Sequence, residues 1–113
     1  MEKNYIPKRG DLIWIDMQPQ AGHEQSGRRP AIVLSPAIYN AKVGLAILCP
    51  ITSQRKEYPF EVALPEGLKI TGVILSDQVK SLDWNLRNAE FCDRVPGHII
   101  EEVLMKINTL LQI

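Results

Sequence analysis

Two arginines, Arg28 and Arg29, stand directly before Pro30 and the apolar run from Ala31 to Leu34. Arginine is the side chain best shaped to grip phosphate, through a planar fork of donors. Proline cannot donate to a central ladder, so Pro30 is expected to open a strand, with both guanidiniums at its mouth. The segment ahead of them, Gln18 to Gly27, is polar and glycine-punctuated. A polar loop beside arginines at a strand mouth fits a site for an anionic substrate. The competing fate of such arginines is solvation, or pairing with a surface carboxylate.

Other residues can join that chemistry. Thr52 and Ser53 follow an apolar run that ends at Ile51. Their hydroxyls can donate to a phosphate oxygen or simply bond local backbone. Glu24, in the polar loop, can accept a proton if the loop folds over a site, although loop carboxylates are usually solvated. Trp14 and Trp84 offer flat faces for base stacking, and Trp14 equally suits a core. His23 and His98 raise the question of paired acid–base catalysis. One falls in the polar loop and the other at a helix start, and both positions favour solvation. The chain lacks the P-loop, HExxH and GxSxG patterns, so P-loop hydrolysis, zinc proteolysis and serine-esterase chemistry lack their parts. Cys49 and Cys92 each lie in an apolar run without ligand partners at metal spacing. They are expected to be free thiols packed as small hydrophobes.

The chain that must position these groups has 113 residues, 45% hydrophobic and 23% charged. That is enough for one core and one domain, residues 1–113. Thirteen basic residues balance thirteen acidic ones (Lys+Arg 13, Asp+Glu 13), which argues against a general polyanion coat but leaves room for a local basic groove. No stretch is long and apolar enough to span a membrane, and the start lacks a signal-peptide core, so a cytoplasmic location is expected. Strands are expected from Gly10 to Asp16, Arg29 to Ser35, Val43 to Ile51, Phe60 to Leu64, Gly72 to Leu75, Val79 to Leu82 and Asn88 to Val95. Tyr39 to Lys42 reads as a turn. From Pro96 onward, Ile100, Val103, Leu104, Ile107 and Leu111 form a helical stripe, with Glu101 and Glu102 near the positive end of its dipole. Many short strands and one terminal helix imply a small β-barrel flanked by a helix. Leu12 to Ile15 is apolar on both faces, and Ile99 and Leu110 flank the helical stripe, so a two-fold partner is expected to cover part of this surface.

Several segments resemble the MazF/PemK family of toxin endoribonucleases, the Kid and ChpB type. They are Pro7-x-x-Gly-Asp-Leu-Ile-Trp-Ile-Asp16, Glu24-Gln-x-Gly-x-Arg-Pro-Ala-Ile-Val-Leu-Ser35, Pro50-Ile-Thr52, Tyr58-Pro-Phe-Glu-Val62 and Asp77-Gln-Val-Lys-Ser81. The resemblance implies a mainly β, SH3-like barrel of the PemK/CcdB kind with a C-terminal α-helix, working as a homodimer. It implies sequence-specific, metal-independent cleavage of single-stranded RNA, without a cofactor. The implied partner is a cognate antitoxin whose flexible acidic tail occupies the RNA groove. By position, Arg29 and Thr52 match the family's catalytic pair, and Glu24 a loop acid linked to activity. Asn40, Lys56, Gln78 and Lys80 fall where substrate contacts are plausible, and Arg28, Ser53 and Trp14 join them on their chemistry. Pro65 to Thr71 and the region around Arg87 to Glu90 depart from the family pattern, so no cleavage sequence is carried over. Two other classes stay open: a CcdB-like gyrase-binding toxin and an RNA-binding barrel that does not cut.

Overall fold

The computed structural model describes residues 5–17 and 27–112. Glu24 and His23 lie outside them. Among the described residues, seven strands and two helices follow in the order β1 (Asp11–Asp16), β2 (Arg28–Val33), α1 (Ala37–Val43), β3 (Ala46–Thr52), β4 (Glu61–Ala63), β5 (Val73–Leu75), β6 (Lys80–Leu82), β7 (Glu90–Arg94) and α2 (Gly97–Leu111). The strands run antiparallel across the path β4-β5-β3-β2-β1-β7, and β6 pairs with β3. β3 is the hub. Its first half pairs with β6 (Ala46↔Leu82 to Leu48↔Lys80) and its last two residues pair with β5 (Ile51↔Ile74, Thr52↔Val73). This is the expected mainly β architecture with a C-terminal helix, and its sheet path is open.

Alternation along the strands sends side chains to two cores. Leu12, Ile32, Cys49, Ile51 and Ile74 face one core, which α2 covers with Ile99, Ile100 and Val103. Ile13, Ile15, Ala31, Val33 and Leu48 face the second, with Trp84, Leu82 and Met17 against it. One chain therefore buries β1 on both faces, and only Trp14 among its apolar side chains reaches solvent. A partner is not needed to cover Leu12, Ile13 and Ile15. The helical stripe is also rotated from its expected position. Ile99 belongs to the core, whereas Leu104 and Leu111 are exposed. Glu101 and Glu102 sit past the first turn, which carries no acid, so they add little to the dipole.

Two further expectations change. Tyr39 to Lys42 lies inside α1, which starts after Pro36 and stops at Gly44 in the left-handed region (φ +84°). Proline before and glycine after are the ordinary punctuation of a helix. Pro30 is the third residue of β2, opposite Trp14, not its first. β3 pairs with β2 only from Ala31 onward, so Pro30 sits where that side of β2 is unpaired. A proline is tolerated there.

Candidate active site

The register of β2 and β3 brings the key pair together. Ala31 faces Pro50 at the end of that ladder; Arg29 stands two residues before the one and Thr52 two residues after the other. Both side chains line a cleft of about 300 Å³ walled by Pro50, Gln54, Lys56, Tyr58, Gln78 and Lys80. The same two residues line an adjoining cleft of about 530 Å³ with Trp14, Pro30, Ser53, Lys69 and Thr71. Arg29 and Thr52 thus form a common wall, with Lys56, Gln78 and Lys80 on one side and Trp14 and Ser53 on the other.

Each member of the wall is held by its strand. The Thr52 hydroxyl oxygen accepts the Gln54 N–H at 3.1 Å, which leaves the hydroxyl proton free to donate. The backbone behind Thr52 is approached closely by Gly72, at φ +127°, where an added Cβ would lie 2.3 Å from the Thr52 carbonyl oxygen. Only glycine fits this position. Among the described residues, no carboxylate lies within ion-pair distance of Arg29.

The rim of the smaller cleft is fixed by two acids. The Glu61 carboxylate accepts the N–H groups of Lys56 and Glu57, both at 2.9 Å, and closes the loop that presents Lys56. Tyr58 donates its hydroxyl to Asp77 at 2.8 Å, and that bond raises its pKa. From α2, Lys106 donates to the carbonyl oxygens of Pro59 and Glu61. Sequence reasoning missed Tyr58, Gln54, Lys69 and Thr71 as cleft residues. Their signal was proximity in the fold, which no local pattern carries.

Two candidate contacts are reassigned. Asn40 is fully buried. Its Oδ1 accepts from the Ser35 hydroxyl at 2.6 Å, and its Nδ2 donates to the carbonyl oxygens of Pro7 and Ser35. Its own carbonyl accepts the Trp84 indole N–H at 2.9 Å. With every polar atom engaged inside the protein, Asn40 pins three segments together and has nothing to offer RNA. Trp84 is half-buried against the second core and lines neither cleft.

Arg28 lines neither cleft. Its guanidinium pairs with Asp16 at 3.0 Å and Glu90 at 2.9 Å and donates to the Asn88 carbonyl at 3.0 Å. The Asn88 amide, and after it Arg28, hold Asp16 below the usual carboxylate range. Next to this corner the Met17 N–H donates to the Gly27 carbonyl at 2.7 Å. Cys49 is buried as expected, and burial pushes its thiol up to about 12; Cys92 is half-buried.

Over residues 8–111 the chain matches the family described as PemK-like, MazF-like toxin of type II toxin-antitoxin system. It is 47% identical over 111 residues to the endoribonuclease toxin MazF of Escherichia coli strain K12, covering 98% of this chain and 99% of that relative. The crystal structure of MazF from Deinococcus radiodurans matches with a TM-score of 0.89 at 51% identity, covering 97% of this chain and 100% of that one. A MazE-MazF crystal structure from the same organism matches with a TM-score of 0.86 at 44% identity, over 97% of this chain and 99% of that one. With a common fold and an ordered match along nearly its whole length, the chain belongs to the PemK-like, MazF-like toxins of type II toxin-antitoxin systems.

Proposed function

We propose that the endoribonuclease activity of this family runs here through the RNA's own 2′-hydroxyl, at the wall formed by Arg29 and Thr52. The observation that carries the reading is that wall, exposed to two adjoining clefts at once. A single strand crossing both clefts would set one phosphate against it. RNA holds its nucleophile next to phosphorus, so the enzyme need only align the two, take up one proton and stabilise charge on the phosphoryl oxygens. Arg29 supplies a fixed cation with forked donors, and Thr52 a hydroxyl donor oriented by Gln54. The 2′-hydroxyl gives up its proton as its oxygen bonds to phosphorus, the bond to the 5′-oxygen breaks, and that oxygen takes up a proton from solvent, so the products are a 2′,3′-cyclic phosphate and a free 5′-hydroxyl. Glu24 is the candidate proton acceptor on its family position.

Lys56, Gln78 and Lys80 on one side, and Trp14 and Ser53 on the other, are assigned to grip the strand. Phosphates and stacked bases supply most of the affinity for single strands. The same cations suit the acidic tail of a cognate antitoxin, which is expected to compete with RNA. The protein is expected to act as a homodimer in the cytoplasm, its exposed Leu110 and Leu111 at the end of α2 being available to a second copy. Among the described residues, no helix is long and apolar enough to cross a membrane. The name of the Escherichia coli relative favours cutting over gyrase binding or RNA binding alone.

Substrate chemistry tests the reading. An RNA carrying 2′-deoxyribose at the nucleotide just 5′ of the cut is expected to bind and stay intact, and cleavage of the normal RNA is expected to persist in excess EDTA. Cutting of the deoxy substrate, or loss of activity in EDTA, would overturn the mechanism.

A further inference from the structure

We propose that Lys69 is a second phosphate-gripping residue, holding the phosphodiester that neighbours the scissile one on the Trp14 side of the wall. The inference rests on the RNA-cutting reading and adds a contact that reading does not require. Lys69 lines the larger cleft together with Trp14, Arg29 and Thr52. It stands in the Pro65–Thr71 loop, one of the segments that departs from the family pattern.

What makes the lysine more than a surface charge is the anchoring of its backbone. Its own N–H donates to the Asp93 carboxylate at 2.9 Å. Its neighbour Ile70 is 5% exposed and belongs to the main core. Gly72 then closes against the Thr52 carbonyl at a distance no other residue permits. Three anchors within four residues hold the loop in fixed relation to Thr52. The Asp93 carboxylate also accepts the Arg94 N–H at 2.9 Å, and after these two backbone bonds the Lys69 charge acts on it more weakly, from beyond ion-pair distance. Among the described residues, no carboxylate lies within ion-pair distance of the Lys69 ammonium.

Charge is then distributed on both sides of the reacting centre. Lys56 and Lys80 serve the smaller cleft and Lys69 the larger, with Arg29 between them. A flexible ammonium suits a phosphate that must be held but not aligned, whereas the fork of Arg29 suits the phosphate that reacts. Lys69 should therefore strengthen binding evenly across base sequences and leave the chemical step alone.

The test measures binding against salt concentration by fluorescence anisotropy. The probe is a single-stranded RNA on the order of 12 nucleotides, centred on the cut site mapped for the wild-type protein. It carries 2′-deoxyribose at the nucleotide 5′ of the cut. Losing one phosphate contact to a single strand lowers the slope of log K against log salt by roughly 0.7. Lys69→Ala is expected to show that decrease and a several-fold weaker Kd, with an unchanged cleavage rate at saturating RNA. Lys69→Arg is expected to keep the wild-type slope. Lys42→Ala, on α1 and outside both clefts, is the control that should change nothing. A wild-type slope and Kd in Lys69→Ala would overturn the inference. So would a fall in the saturating rate with Kd unchanged. A wild-type protein that neither binds nor cuts single-stranded RNA would overturn the functional reading, and this inference with it.

Discussion

The corner around Arg28 and the wall around Arg29 are built from adjacent residues with identical side chains, yet they can do opposite things. Strand alternation points the two guanidiniums to opposite faces of β2. On one face Arg28 meets Asp16, Glu90 and the Asn88 carbonyl, and its charge and donors are used within the protein. On the other face Arg29 lines two clefts together with Thr52. A cation is available for a substrate only if the fold leaves its donors unspent. Residue type sets what a side chain can do, and its neighbours decide whether it is free to do it.

Substitution at Arg29 should break this contrast most clearly. Arg29→Ala is expected to slow single-turnover cleavage roughly 100- to 1,000-fold, the usual cost of one preorganised donor to a developing oxyanion. Its thermal unfolding should match the wild type, and Arg29→Lys should restore little, because an ammonium lacks the fork. Arg28→Ala is expected to do the reverse, with cutting near normal and stability lowered by about 0–1 kcal/mol, as for other solvent-exposed ion pairs. A slow, stable Arg28→Ala protein would show that the corner takes part in catalysis.

The next effects concern the support of the wall. Gly72→Ala sets a methyl group against the Thr52 carbonyl. It should cost about 1–3 kcal/mol through overpacking and cut activity together with stability. Thr52→Val keeps the shape and removes the donor, so activity should fall while the melting temperature stays near normal. Equal activity in folded Thr52→Val would reduce Thr52 to a strand end. Asn40→Ala sharpens the contrast from the buried side. It leaves partners unsatisfied and should cost about 1–3 kcal/mol of stability, with RNA affinity unchanged well below the melting temperature.

The smallest expected effect is a pH dependence at the corner. Asp16 has a lower pKa folded than unfolded, chiefly through Asn88 and then Arg28. Its contribution is therefore present above the unfolded carboxylate value and lost as pH falls through the folded one. Asn88→Ala should be less stable than wild type near neutrality, and the gap between the two stability curves should narrow in acid to the pH-independent cost of alanine at the positive φ of this position (+56°). Parallel curves down to low pH would show that Asp16 is not the group concerned.

Much of this was legible in the chain, and the failures have physical causes. The strands that carry Arg29, Thr52 and Lys80 follow from apolar runs bounded by turn residues, and α2 follows from its helical period. That Arg29 and Thr52 line the same clefts depends on the long-range pairing of β2 with β3, which no local pattern states; the two entered through family position. Asn40 misled because its type is as suited to a buried polar staple as to a substrate contact, and burial depends on Pro7 and Trp84, both distant in sequence. Arg28 misled because its partners Asp16 and Glu90 lie on other strands. α1 was missed although Pro36 and Gly44 mark its ends, since a seven-residue helix carries little periodicity. The two apolar faces of β1 were expected to need a two-fold partner, and the fold instead packs a core of the same chain against each face.

The most direct test of the central claim, that the RNA's own 2′-hydroxyl attacks at the Arg29–Thr52 wall, is mass spectrometry of the two ends produced from one short RNA. The account predicts a 2′,3′-cyclic phosphate, or the monophosphate from its opening, on the upstream fragment and a 5′-hydroxyl on the downstream fragment. A 5′-phosphate on the downstream fragment would mean that water attacked instead, and would contradict the mechanism even though RNA had been cut.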